Sequence, residues 1–476
     1  MRISVGCAFS ALCLVLPAVL PAQSADKLSD VARKQVQDVV MQVLERTRVP
    51  SAQVGIVRDG KVIYVGAFGD ARIGGDGVSA VPATPEMHYA VGSISKQFTA
   101  ACVLLLQQQG KLKLDDPVAK WYPELTQAKD VTIRNLLTHT SGYSDYAPQD
   151  YTIPAWTKQK DPETLVREWA GKALDFEPGT KWQYSNTNFV LAGLIVQKVS
   201  GVPFMQFLRA NVLDPLHLKE VLDLDTDHAR LEPVGYMQNA LGPLRPAIPE
   251  APGWYFADGE LAMPVQSLLE WDISLMNRSL LSAASYTEME TEQRLKDGSG
   301  SHYGLGVSVR MRDGRRSVSH DGEVGGFVAT NLVLPDQHVA VAVFTNEEAS
   351  GASGEIANKI ASIVLGAEGG EKDSPEVAAA EAKVRAVLTE LQGGSIDRSL
   401  LTDDAKFYFS EQATQDFASS LSPLGRIEEV KQTRESLRGG MQMRVFRVRF
   451  ATRAVNLSTY WMPDGKIEQF LVSPAE

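Results

Sequence analysis

Residues 89–99 read Tyr89-Ala-Val-Gly-Ser93-Ile-Ser-Lys96-Gln-Phe-Thr99. A short β-like stretch gives way here to a helical pattern, predicted over Gln97–Gln109 and ended by Gly110. Positions three apart share a helix face, so the Ser93 hydroxyl and the Lys96 amine can meet, while Ser95 points elsewhere. A hydroxyl is a poor nucleophile until a base takes its proton. A lysine can be that base once burial or a nearby cation lowers its pKa from ~10.4 towards ~7–8. Free N–H groups at the helix start favour negative charge developing on the serine oxygen. Ser93 is therefore the predicted nucleophile and Lys96 its base. The bland alternative makes Ser93 a helix cap and Lys96 a solvated first-turn residue.

The pair alone is a weak signal, since Ser24-Ala-Asp-Lys27 shows the same spacing. Two later motifs give it company: Tyr184-Ser-Asn186, in the loop starting at Pro178, and His320-Asp-Gly322, after Arg316-Ser-Val-Ser. Ser-x-x-Lys, Tyr-x-Asn and His-x-Gly in that order resemble the serine β-lactamase and penicillin-binding superfamily. The Tyr-x-Asn form is similar to the class C β-lactamase branch, with its D-aminopeptidase, D-Ala-D-Ala carboxypeptidase and carboxylesterase relatives. Thr132-Ile-Arg-Asn-Leu-Leu-Thr-His-Thr-Ser-Gly142 and Tyr303-Gly-Leu-Gly306 fit as well.

The resemblance implies roles for each motif. Tyr184 would move the proton between Ser93, Lys96 and the leaving group, which requires a lowered pKa or a concerted transfer. Asn186 would orient Lys96 and bind the substrate amide. His320 and Gly322 would line the substrate pocket, and the backbone N–H groups of Ser93 and Glu323 would form the oxyanion hole. Two decoys compete with His320: His302-Tyr-Gly304 and Lys296-Asp-Gly298. Lys296 falls in a polar loop and His302 one strand too early. The sequence holds no Gly-x-Ser-x-Gly elbow, no Ser-Asp-Asn, and no His-Glu-x-x-His or Cys-x-x-Cys, so no metal or other cofactor is predicted.

Composition bounds the rest. At 476 residues, 44% hydrophobic and 22% charged, the chain can bury a large core. A formal net charge of −11 argues against nucleic acid, whose phosphates need a basic footprint. Met1-Arg2 precedes an apolar stretch, Ile3–Ala22, broken by Pro17 and Pro21, which reads as a signal peptide over residues 1–25. A periplasmic or secreted protein with no stable membrane span after cleavage is expected. Cys7 and Cys13 would leave with the leader, so Cys102 stands alone and reads as a small buried residue.

Strands are predicted at both ends of residues 27–366, with a long helical region between them. Gln53–Val57 and Val62–Phe68 flank an Asp59-Gly60 turn; later come Gly304–Arg310, Ser317–His320, Phe327–Leu334 and Val339–Phe344. This order matches the β-lactamase architecture: an antiparallel sheet flanked by helices, an α/β fold with an inserted helical domain and the site in the cleft between. Residues 367–375 read as a linker. Residues 376–476 read as a small α+β domain whose element order resembles the nuclear-transport-factor-two-like fold.

The expected function is a serine hydrolase forming an acyl-enzyme on Ser93. Its small-molecule or peptide substrate would carry an amide or ester, as in D-amino-acid peptides or small carboxylic esters. A class C-like β-lactamase is the alternative, weakened because His320 stands where class C enzymes usually carry lysine. An unperturbed histidine, pKa ~6.5, is mostly neutral at pH 7. A non-catalytic penicillin-binding or interaction protein is the other alternative. The sequence leaves the oligomeric state open.

Overall fold

The computed structural model describes residues 27–75, 77–312, 315–365 and 376–475. The predicted signal peptide and linker lie outside these residues. Helix α1 (Asp30–Thr47) starts where the Ser29 side chain accepts from the Ala32 N–H and ends at Arg48 in the left-handed region. Strands β1 (Ser51–Arg58), β2 (Lys61–Arg72) and the short β3 (Val81–Pro82) follow. Next come α2 (Ser95–Gln108), α3 (Asn186–Ser200) and α4 (Val265–Asn277). The chain returns to strands in β4 (Ser308–Arg312), β5 (Arg315–Val324), β6 (Phe327–Leu334) and β7 (Val339–Thr345), then α5 (Ala352–Leu365).

The seven strands form one antiparallel sheet in the order β3-β2-β1-β7-β6-β5-β4. Its centre joins the two chain ends, with Ala52 opposite Thr345 and Arg58 opposite Val339. Alternation along β1 and β7 divides the core. Ala52, Val54, Ile56, Val339, Val341 and Val343 pack under α1 and α5, which supply Val36, Val40, Val43, Ile356 and Ile360. Ala340, Ala342 and Phe344 face the larger core that holds α2, α3 and α4. Each fully buried aliphatic side chain contributes about 1.5–3 kcal/mol, so a sheet covered on both faces makes a rigid base for the cleft.

The second unit comprises α6 (Glu376–Gln392), α7 (Glu411–Leu421) and a four-stranded antiparallel meander: β8 (Ile427–Arg438), β9 (Met441–Phe450), β10 (Ala454–Trp461) and β11 (Ile467–Pro474). Val384, Val387, Leu388 and Leu391 of α6 meet Phe446, Val448, Val455, Leu457 and Phe470 of the sheet in a separate core. The β8–β9 turn is Gly439-Gly440, with φ of 56° and 73°, the pattern of a two-residue hairpin turn. A Cβ on Gly439 would stand 2.6 Å from Pro148, so the hairpin tip rests directly on the first unit.

Most predicted elements match within a few residues; Phe327–Leu334 agrees at both ends. The expected Ser317–His320 strand instead runs on to Val324, because β6 pairs with it as far as Phe327. The expected Gly304–Arg310 strand begins only at Ser308, after a turn in which Gly306 has φ 72°. One strand, β8, was not anticipated. Its sequence, Ile-Glu-Glu-Val-Lys-Gln-Thr-Arg-Glu-Ser-Leu-Arg, buries only Val430 fully and so shows no apolar alternation.

Candidate active site

Ser93 lies in a tight 3-10 turn, Gly92–Ile94, that runs straight into α2. The turn is wedged against the end of β5. A Cβ on Gly322 would fall 1.9 Å from the Val91 carbonyl oxygen and 3.0 Å from the Ser93 nitrogen. Only glycine permits that approach, which brings the backbones of Gly322 and Glu323 alongside Gly92 and Ser93.

Lys96 is completely buried. Its Nζ donates to Asn186 Oδ1 at 2.7 Å and to the Asp258 carbonyl at 2.8 Å, and lies 2.9 Å from Ser93 Oγ. Two of these partners are acceptors only. They take two amine hydrogens, so the remaining tetrahedral direction of Nζ faces Ser93 Oγ. On a neutral amine that direction is the lone pair. Burial, aided by the Arg438 cation, holds Lys96 down at about 8 against the opposing pull of Asp258 and Asp145.

Tyr184 lines the cleft together with Ser93, and burial pushes its hydroxyl pKa well above the ordinary range. The ring stacks on His139, with centroids 4.3 Å apart, and lies 5.1 Å from Lys96 Nζ. His139 Nδ1 in turn accepts from the Ser185 N–H at 3.2 Å, fixing the loop from below. Asn186 begins α3. Its Nδ2 donates to the Ala147 carbonyl at 3.2 Å and faces Asp145 Oδ2 at 3.5 Å, which aims its Oδ1 at Lys96.

His320 lines the cleft, with Nδ1 donating to the Asp321 carbonyl and Nε2 2.7 Å from the Tyr303 hydroxyl. A carbonyl only accepts, so Nδ1 carries the hydrogen and Nε2 accepts from Tyr303. Burial and the nearby Lys96 lower its pKa to about 3. The decoys fall elsewhere: His302 is exposed and pairs with Glu292, and Lys296 is exposed in its loop.

The structure thus brings Ser93, Lys96, Tyr184, Asn186, His320, Gly322 and Glu323 into one cleft or its immediate wall. The cleft measures about 610 Å³. Sequence reasoning missed several of its residues. Tyr303 and His139 lie inside quoted motif phrases but had no role; Asp145, Tyr146 and Asp258 carried no signal. Arg438, Ser436, Leu437 and Tyr460 also line the cleft, although they belong to the second unit. The motif set is complete before residue 366, yet the cleft is not.

The β-lactamase family profile matches residues 36–365. The chain belongs to that family. PbpX of Bacillus subtilis, named as a penicillin-binding protein, is 28% identical over 306 residues, covering 64% of this chain and 73% of that relative. The flp protein of Staphylococcus aureus is 25% identical over 329 residues; the match covers 67% of this chain and 64% of flp. Among solved structures, a D-stereospecific amidohydrolase from Streptomyces sp. is 28% identical with a TM-score of 0.59, over 70% of this chain and 99% of that one. The octameric penicillin-binding protein homologue from Pyrococcus abyssi is 22% identical with a TM-score of 0.62. That match spans 94% of this chain and 100% of the other, so its fold likeness includes the second unit.

Proposed function

We propose that this protein is a serine hydrolase that opens amide or ester bonds through an acyl-enzyme on Ser93. The observation that carries the reading is the disposition of Lys96: two fixed acceptors hold its hydrogens and its free direction meets Ser93 Oγ. Ser93 Oγ attacks the substrate carbonyl carbon while its proton passes to Lys96. The carbonyl oxygen becomes negative and is met by the N–H groups of Ser93 and Glu323; one such donor is typically worth ~2.7–4 kcal/mol. Collapse breaks the bond to the leaving amine or alcohol, which takes the proton from Lys96 through the Tyr184 hydroxyl. Water then attacks the ester, returns a proton to Ser93 and releases the acid. Tyr184 keeps its own proton in the resting site, since burial raises its pKa, so it acts as a concerted relay rather than as the standing base.

D-aminoacyl amides and small esters suit this cleft better than β-lactams. His320 offers no positive charge, and Asp150, Glu250, Glu323 and Glu348 line the wall beyond it. Burial raises the pKa of Glu250, Glu323 and Glu348, and Asp150 is paired with Arg438, so these groups offer a substrate ammonium oxygen acceptors rather than a full negative field. The Streptomyces amidohydrolase, named for D-stereospecific amide hydrolysis, supports the same class. The test is a fluorophosphonate probe with the adduct located by mass spectrometry, followed by p-nitrophenyl esters, D- and L-aminoacyl anilides and nitrocefin. An adduct on Ser93 with turnover of D-anilides or esters is expected. Labelling elsewhere overturns the reading, and labelling without turnover of any substrate makes the protein a binder.

A further inference from the structure

Arg438 is the last residue of β8 and reaches the cleft from the second unit. Its backbone forms a parallel bridge with Tyr184, and its guanidinium carbon lies 5.4 Å from the Tyr184 ring centroid. Nη1 donates to Asp150 Oδ1 at 2.8 Å and to the Tyr460 hydroxyl at 2.7 Å, and Nη2 donates to the Ala147 carbonyl at 3.1 Å. Nε lies 3.5 Å from Asp145 Oδ2.

Asp145 is a completely buried carboxylate. Its Oδ1 accepts the N–H groups of Asn186, at 2.9 Å, and Ala147, at 3.1 Å. Removing one member of a buried ion pair leaves the other charge uncompensated, and structure yields around it. Asn186 is the group that would move, and Asn186 holds Lys96.

We propose that Arg438 is a positioning residue of the serine site, delivered by the second unit, which by neutralising Asp145 and Asp150 keeps Asn186 locked on Lys96. The proposal rests on the serine-hydrolase reading above. It makes the second unit part of the catalytic apparatus, although Arg438 touches neither Ser93 nor Lys96 by hydrogen bond.

The charge effect has a definite sign. The titratable and charged groups facing Lys96 are Asp258, Asp145, Arg438, Tyr184, His139 and His320. Arg438 lowers the Lys96 pKa, whereas Asp145 and Asp258 raise it. Lys96 acts as base only when neutral, so acylation rises as pH passes its pKa. Loss of Arg438 shifts that rising limb to higher pH, and loss of the Asp145 charge shifts it to lower pH.

The experiment measures second-order acylation by a fluorophosphonate between pH 5.5 and 10 on the full chain. The variants are Arg438→Gln, Arg438→Lys, Asp145→Asn and, as a control on the same sheet outside the cleft, Arg449→Ala. Arg438→Gln should move the limb up by about one pH unit, a roughly tenfold loss at neutral pH. Arg438→Lys should keep the limb in place with a smaller loss, because the charge stays and the fork is gone. Asp145→Asn should move the limb down, and it supplies the test alone where Arg438→Gln does not fold. Arg449→Ala should match wild type. A limb that stays put in folded Arg438→Gln, or in folded Asp145→Asn, overturns the proposal. Failure of wild-type Ser93 to take the probe at any pH instead overturns the serine-hydrolase reading.

Discussion

The Tyr303 hydroxyl stands 2.7 Å from Nε2 of His320 and fills the one ring position that could take a proton. With Nδ1 committed to the Asp321 carbonyl and the ring buried, protonation would strand a charge beside Lys96. An ordinary histidine charges as pH falls through ~6.5, which would favour carboxylate substrates. The buried geometry prevents that.

His320 should therefore remain neutral throughout pH 5–8, since its pKa lies at about 3. The ratio of acylation rates for a penicillin and a neutral ester should stay flat across that window. A ratio that climbs as pH falls to 6 would show a histidine charging in the cleft. His320→Lys should raise the ratio, tempered by the desolvation of the new charge and by Glu323.

Wild-type acylation should climb with pH to a plateau above about 8, following loss of the Lys96 proton. The sign follows from the role: the protonated amine cannot accept from Ser93. Lys96→Ala should remove the limb together with at least about 100-fold of rate, the usual scale for a general base. Rate–pH profiles with the fluorophosphonate decide it.

Ser93→Ala should lose labelling and hydrolysis while melting near wild type, because that hydroxyl serves chemistry. Ser95→Ala should behave the opposite way. Ser95 Oγ accepts from the buried Leu261 N–H at 3.1 Å, so its loss should cost about 1–3 kcal/mol of stability with kcat little changed. Thermal melts paired with kinetics separate the two.

Gly439→Val should push the β8–β9 turn off Pro148. The position combines φ 56° with a 2.6 Å approach, so a β-branched side chain there is strained twice over. Acylation should fall about tenfold or more while Ser93 stays labelled on long exposure. Unchanged kinetics would show that the hairpin tip is not needed to shape the cleft.

The sequence was most legible where apolar periodicity and chemistry coincided. β7 is an apolar run up to Thr345 and β6 is apolar apart from Thr330-Asn331, both buried on both faces, and Ser93, Lys96, Tyr184, Asn186 and His320 sit in spaced motifs. Buried polar supports were opaque, because Asp145 and Asp258 look in sequence like any other acid. β8 was the hardest to see. Its one face packs on α6 while most of its side chains stay in water, so no alternation announces a strand, and with it Arg438 was hidden. The acid run Glu428-Glu429 and the basic residues around it read as surface.

The pairing of β1 with β7 sets when this site can exist at all. Ala52 waits for Thr345, so the first hairpin keeps an open edge until residue 345 has been made. Contacts so distant in sequence slow folding, because a large loop must close before the ladder repays it. The turn that carries Ser93 is pinned by Gly322, on the late side of that closure, and Arg438 emerges later still. A ribosome-bound fragment ending before residue 339 would thus carry Ser93 and Lys96 yet no seat to hold them, and the proposed serine site comes together only after Arg438 has emerged.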